Sequence, residues 1–242
     1  MPSASHRRAA SRRALFIALF IIGTFFVIEI TAGFLTNSLA LLADAGHLLT
    51  DFAAILLALL ALWFASRPIT AARTFGYFRI EIFAALINGL TLWAIAAYIA
   101  YEAIQRIQNP PEVDSLPMLL VASAGFLAQT GTALVLHRAS SESLNVRGAY
   151  IHVMTDAVQS VGVVIAGLLM LGFEWFLADT IISIVIALLI TWSGGRVAWE
   201  AARILMESSP KHINLDALCA RLERVKGVTG VHDIHAWSLT TG

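Results

Sequence analysis

Long apolar stretches separated by short polar turns fill most of this 242-residue chain. A helix needs about 20 mainly apolar residues to cross a bilayer. Six stretches meet that length, and we predict helices at residues 14–35, 39–65, 81–107, 116–137, 146–172 and 176–199. The first follows a basic segment, as a signal-peptide core does, but it is long and further spans follow at once, so we expect it to be retained. The pattern predicts an all-α membrane protein with a six-transmembrane-helix bundle at residues 14–206.

A polar stretch follows the last predicted span. Ile213–Val225 has apolar residues at helical spacing and ends at Gly227, and Val228–Leu239 is predicted as a strand. One helix and one strand are too little to bury a core. We therefore expect residues 207–242 to be the incomplete start of a C-terminal domain.

The composition makes lipid the main solvent of the chain. Hydrophobic residues make up 58% and charged residues 13%, whereas soluble domains carry about 25% charged residues. Basic and acidic residues number 16 each, so no basic field is available to hold nucleic acid, and we exclude a nucleic-acid partner. The single cysteine, Cys219, excludes an intrachain disulfide and a cysteine-rich metal cluster.

Basic residues favour one side of the predicted bundle. Residues 1–13, predicted as a cytoplasmic N-terminal segment, carry four arginines, and the second-to-third and fourth-to-fifth connections are also basic. The intervening loops carry fewer basic residues. The positive-inside rule therefore places both termini in the cytoplasm, and the short loops favour a bacterial plasma (inner) membrane.

Two His-x-x-x-Asp pairs lie inside predicted spans, where ionisable groups are costly. His47 and Asp51 fall in the second span, and His152 and Asp156 fall in the fifth. Residues four apart share one face of a helix, so each pair presents an imidazole and a carboxylate in the same direction. Two such helices facing each other would supply two nitrogens and two oxygens, a tetrahedral set that suits Zn²⁺. A dication and buried carboxylates offset each other's cost, which favours a shared metal site.

Simpler interpretations stay open for individual residues. A lone His–Asp pair in a membrane can be a hydrogen-bonded structural pair or a proton relay, although a second pair weakens that interpretation. Asp44 lies three residues before His47 on the same face; it either orients the imidazole or is satisfied by a neighbouring helix. We interpret Glu29 in the first span as a polar packing or proton-path residue rather than a metal ligand.

The depths of the two pairs disagree when they are measured from the helix ends. His47 is nine residues from Ser38, whereas His152 is twenty residues from Gly172. At about 1.5 Å per residue, helix ends at equal depth would separate the pairs by roughly 15 Å. A single site therefore requires that the helices be tilted or offset.

Four stretches of the chain resemble the cation diffusion facilitator family of zinc and divalent-metal transporters. They are NSLALLADAGHLLTDF at 37–52, FGYFRIEIFAALINGL at 75–90, HVMTDAVQSVGVVIAG at 152–167 and GVHDIHAWSL at 230–239. The resemblance implies a transport site of His47, Asp51, His152 and Asp156. It also implies a homodimer, metal–proton exchange, and a cytoplasmic ferredoxin-like α/β domain with its own metal sites, which would be truncated here.

The resemblance implies a further ligand, His232, in that cytoplasmic domain. His232 and His235 are three apart in the predicted strand, and side chains alternate along a strand, so the two would point to opposite faces. They are then unable to chelate one ion together. The alternative is that both are surface or hydrogen-bonding histidines.

These observations lead to a secondary transporter rather than an enzyme. We expect it to export Zn²⁺ from the cytoplasm in exchange for protons, because histidine must lose its proton to bind metal. Cd²⁺ and Co²⁺ could use the same ligands. Zn²⁺ is then a transported substrate, and no organic cofactor is expected. The alternatives are a zinc-dependent intramembrane enzyme, for which no HExxH or nucleophile motif is found, and a proton or cation channel.

Overall fold

The computed structural model describes residues 4–65, 76–139, 144–210 and 213–239. Six long helices and one short helix make up the regular structure of these residues. The helices are α1 (Ala4–Thr36), α2 (Leu39–Ala65), α3 (Phe78–Gln108), α4 (Ser115–Ala139), α5 (Leu144–Phe173), α6 (Leu177–Leu205) and α7 (Leu215–Leu222). The described part of the chain is all-helical, as expected of a helical membrane protein.

Four of these helices are long and apolar enough to cross a bilayer, as judged over the described residues. They are Leu19–Thr36, Arg79–Gln108, Val153–Phe173 and Leu177–Leu205. A fifth apolar stretch, Ser115–Gly131, is shorter. Large apolar side chains such as Phe20, Leu35 and Trp192 are exposed along the helices, which suits a surface solvated by lipid.

The predicted helices agree with the structure except at the outer limits of the bundle. The bounds of α2 to α5 lie within three residues of the prediction, whereas α1 begins ten residues earlier and α6 ends six residues later. The apolar length rule locates only the lipid-embedded part. Alanine, arginine and glutamate favour helix strongly, so the helices continue into their polar flanks.

The strand predicted at Val228–Leu239 is absent from the structure. Residues 228–238 form neither helix nor strand, and Asp233 has a left-handed backbone with φ of 55°. An extended strand does not accommodate that conformation. The opposite-face argument for His232 and His235 therefore fails. The preceding helix, α7, is also shorter than predicted. It starts two residues later than predicted because Asn214 caps it by accepting a hydrogen bond from the Ala217 amide, and it ends at Leu222.

The helices pack as antiparallel neighbours: α1 on α2, α4 on α5, and α3 on α6. The α3–α6 contact depends on small residues. A methyl group added to Gly89 would lie 2.8 Å from the Gly194 carbonyl oxygen, so the two backbones touch directly. Small residues permit this close approach between membrane helices, where van der Waals packing is a main source of association energy.

The N-terminus of α2 is fixed to α6 by Asp179. The Asp179 carboxylate accepts hydrogen bonds from Ser38 Oγ at 2.6 Å and from the Leu39 and Ala40 amides at 2.7 and 3.2 Å. Ser38 Oγ in turn accepts from the Leu41 amide. The first three amides of α2, which have no partner within the helix, are thereby satisfied, and a negative charge sits at the positive end of the helix dipole.

Replacing Asp179 by alanine should destabilise the fold by about 3 kcal/mol, because it leaves buried amide donors unpaired at a helix start. Asp179 is fully buried, so bulk water does not readily replace it. Thermal unfolding of the purified protein in detergent measures the loss. Ser183→Ala is the matched control, since Ser183 is also buried in α6 but bonds only to its own helix. Equal unfolding temperatures for the two variants would contradict the anchoring role.

Candidate metal centre

Two helices bring three of the predicted ligands together. His47 and Asp51 lie one turn apart on α2, and Asp156 faces them from α5. His47 Nε2 is 2.9 Å from Asp156 Oδ1 and 3.8 Å from Asp51 Oδ2. All three side chains are buried. The spacing of four residues places His47 and Asp51 on the same face of α2, as the sequence predicts.

The three groups have the spacing and charge that a small dication requires. One ligand atom from each residue lies within 4.8 Å of the others. Ligand atoms about 2 Å from a tetrahedral zinc are roughly 3.3 Å apart, and the two measured distances lie on either side of that value. With a neutral imidazole the group carries two negative charges, which one dication would neutralise.

The imidazole nitrogen that faces the carboxylates also contacts Gln159. Gln159 Nε2 lies 3.3 Å from His47 Nε2. A single ring nitrogen either donates to the Asp156 carboxylate or accepts from the Gln159 amide, and it is unable to do both. A metal ion needs the same lone pair of Nε2, so the position is suited to exchange between a proton and a metal.

The depth mismatch predicted from the sequence does not keep α2 and α5 apart at the site. His47 is nine residues from Ser38, whereas Asp156 is sixteen residues from Gly172, yet His47 Nε2 and Asp156 Oδ1 are 2.9 Å apart. The two helices are therefore offset or tilted, as a single site requires.

A second polar group adjoins the ligand side chains. Ser160 Oγ lies 3.2 Å from Asp44 Oδ2 and 2.8 Å from Gln129 Oε1, which links α2, α5 and α4. The described hydrogen-bond partner of Asp44 is Ser160, and the predicted role of Asp44 as an acceptor that orients the His47 imidazole stays a prediction. Gln159 and Ser160 were not predicted as part of the site. They follow Asp156 by three and four residues, which places them on the same face of α5 and is the signal that could have found them.

Two other predicted ligands have different outcomes. His152 lies within α5, one turn before Asp156, but its side chain is outside the described residues. His232 lies in the tail, where its side chain is 89% exposed and its nearest ion-pair partner is Asp233, at 3.9 Å. Ligation of a metal by either histidine stays a prediction.

A buried cluster of histidine and aspartate between apolar helices is typical of membrane proteins that move metal ions, and the matches to known proteins agree. Residues 15–206 match the family described as the cation efflux transmembrane domain. The chain belongs to this cation efflux family, which confirms the resemblance to the cation diffusion facilitators.

Relatives from three bacteria are similar over almost the whole chain. The "Cadmium, cobalt and zinc/H(+)-K(+) antiporter" of Bacillus subtilis (strain 168) is 40% identical over 240 residues, covering 98% of this chain and 77% of the relative. "Zinc transporter ZitB" of Pectobacterium atrosepticum is 41% identical, covering 97% and 74%. "Metal cation efflux system protein CzcD" of Cupriavidus metallidurans is 40% identical, covering 96% and 73%. These names describe metal transporters rather than enzymes.

Proposed function

We propose that this protein exports Zn²⁺ from the cytoplasm in exchange for protons, with Cd²⁺ and Co²⁺ as further substrates. The observation that carries the proposal is the convergence of His47 Nε2 with the carboxylates of Asp51 and Asp156 inside a bundle of apolar helices. The names of the relatives, which include zinc, cadmium, cobalt and H(+), support the choice of substrate and counter-ion.

The charge of the site supplies the reason for exchange. The two carboxylates are costly in a membrane unless a cation neutralises them. A zinc ion does so when the site is loaded. After zinc leaves, protons on the same groups restore neutrality. The metal-free site can then face the cytoplasm again without a net buried charge. His152, one turn from Asp156, is proposed as the fourth ligand.

The wider architecture of the proposal follows the family. We propose six membrane spans formed by α1 to α6, both termini in the cytoplasm and a bacterial plasma (inner) membrane. The arginine distribution supports this orientation. We further propose a homodimer, and a C-terminal stretch at residues 207–242 related to the ferredoxin-like domain of the family.

Reconstitution tests the proposed function. Purified protein in vesicles with an acidic lumen should accumulate zinc from outside, and a trapped pH-sensitive dye should report protons leaving the lumen as zinc enters. A channel would pass ions along the voltage without a fixed proton–metal ratio, and an enzyme would accumulate no metal. Zinc accumulation that does not depend on the pH gradient would contradict the exchange mechanism.

Removing residues 208–242 should leave zinc binding by the helical bundle intact and weaken dimerisation or metal regulation. No described residue of α7 is buried, so α7 adds no residue to the buried core of the described helices. The deletion also retains Glu207, which pairs with Arg79 at the start of α3. Calorimetry on the shortened protein measures zinc binding, with the full chain as the control. Loss of all zinc binding would show that the site depends on the tail.

A further inference from the structure

Glu29 of α1 is an ionisable side chain for which the metal site gives no role. It is 1% exposed, and neither of its carboxylate oxygens has a hydrogen-bond partner among the described residues. A buried carboxylate without partners is very costly in its charged form. The side chain therefore requires a cation, and a proton is the smallest one.

The neighbours of Glu29 among the described residues supply no such cation. From α2, Asp44 acts on Glu29 as a like charge, and one Asp44 oxygen is itself without a hydrogen-bond partner in the described structure. From α4, Gly125 lies so close that an added methyl group would be 2.7 Å from Glu29 Oε1. Residues 115–131 of α4 contain no ionisable side chain. The glycine leaves room for the carboxyl group and for little else.

A group of hydrogen-bonded polar side chains lies between this carboxyl group and the metal centre. Gln129 lies one turn from Gly125 on α4 and bonds to Ser160 of α5, which bonds to Asp44 of α2. Asp44 is three residues from His47 and shares its face of the helix. Glu29 lies beside this group without a described hydrogen bond to it.

We propose that Glu29 binds a proton that is exchanged for zinc, at a position separate from the metal ligands. This inference rests on the proposed proton–zinc exchange. The carboxylate takes up one proton on one side of the membrane to become a neutral carboxylic acid, and it releases that proton on the other side. A proton needs only one carboxyl oxygen, whereas a potassium ion needs a cage of several oxygens, which the Gly125 contact leaves little space to build.

The test measures how zinc accumulation depends on the pH gradient. With the membrane potential clamped at zero, each proton exchanged per zinc multiplies the equilibrium accumulation ratio by about tenfold per pH unit. Glu29→Gln keeps the shape of the side chain but cannot titrate. We therefore expect the slope of the logarithm of accumulation against the pH difference to fall by about one in Glu29→Gln. Zinc–zinc exchange at equal pH and zinc affinity by calorimetry should stay within about threefold of wild type.

Two further variants separate a proton-binding role from a packing role. Glu29→Asp retains a titratable group but shortens it, so it should keep the wild-type slope while its pH profile shifts. If Glu29 only fills space, Glu29→Gln should stay closer to wild type than Glu29→Asp, because glutamine fits the wild-type space better than aspartate does. Glu112→Gln, which neutralises an exposed carboxylate outside the helices, is the matched control and should behave as wild type.

Each outcome bears on one claim. An unchanged slope in Glu29→Gln overturns the assignment. It is also overturned if Glu29→Gln loses zinc accumulation driven by a potassium gradient but keeps accumulation driven by the pH gradient, because that result would assign a potassium site. If Glu29→Gln is not recovered folded, an unshifted pH profile in Glu29→Asp overturns the assignment instead. Absence of proton-driven accumulation in the wild-type protein would refute the proposed function itself.

Discussion

Zinc transport is expected to fall by about 100-fold or more when Asp156 is replaced by alanine. Loss of a residue that only supports a metal ligand costs about 10–100-fold in metal affinity, and loss of a predicted ligand such as Asp156 should cost at least as much. Asp156 is the described α5 residue closest to His47, at 2.9 Å. Its removal takes away one of two carboxylates and one of the contacts that join α2 to α5 at the site. Initial rates of zinc uptake into proteoliposomes measure the effect, and cadmium and cobalt should be affected as zinc is.

The control for this variant is Glu112→Ala, which removes an exposed carboxylate in the α3–α4 connection. It should transport zinc at the wild-type rate. Helix content and gel filtration establish that Asp156→Ala is folded, and calorimetry should show that it has lost high-affinity zinc binding. Proton-coupled zinc flux at the wild-type rate in folded Asp156→Ala would remove this residue from the mechanism.

The helices and the pairing of His47 with Asp51 were predictable because both depend on local periodicity. Apolar length locates a membrane helix, and a spacing of four residues fixes a shared face. Neither depends on the rest of the fold. The approach of Asp156 to His47 was predicted from chemistry, since isolated buried carboxylates are costly, but helix-end distances argued against it. Those distances failed because they assume helix ends at equal depth, whereas the 2.9 Å contact between His47 and Asp156 requires that α2 and α5 be offset or tilted.

Contacts between distant parts of the chain were not predictable in this way. Asp179 binds the start of α2 across about 140 residues of sequence, and no local pattern indicates that a carboxylate in one helix satisfies the amides of another. The proximity of Gly125 to Glu29 is of the same kind. The strand prediction for Val228–Leu239 failed for a different reason. The residue types of this segment favour a strand, but the left-handed backbone of Asp233 does not fit an extended strand.

Replacing His47 by aspartate is expected to change metal preference as well as rate. The site would then contain three carboxylates, together with the imidazole of His152 if that residue is the fourth ligand. Oxygen ligands suit Mn²⁺ and Fe²⁺ better than an imidazole-containing set does, and the larger Cd²⁺ should also be accommodated. We expect the ratio of manganese to zinc transport to rise by about tenfold or more, through a fall in zinc transport and a gain in manganese transport.

The structure gives a reason to expect this shift at position 47 in particular. His47 Nε2 lies 3.8 Å from Asp51 and 2.9 Å from Asp156, so in the proposed site it would supply a nitrogen ligand between two oxygen ligands. His232→Asp is the matched control, because it makes the same substitution at an exposed histidine and should leave the metal ratio unchanged. Competition between zinc and manganese for uptake into proteoliposomes measures the ratio directly. A wild-type ratio in folded, active His47→Asp would mean that the imidazole at position 47 does not select the metal.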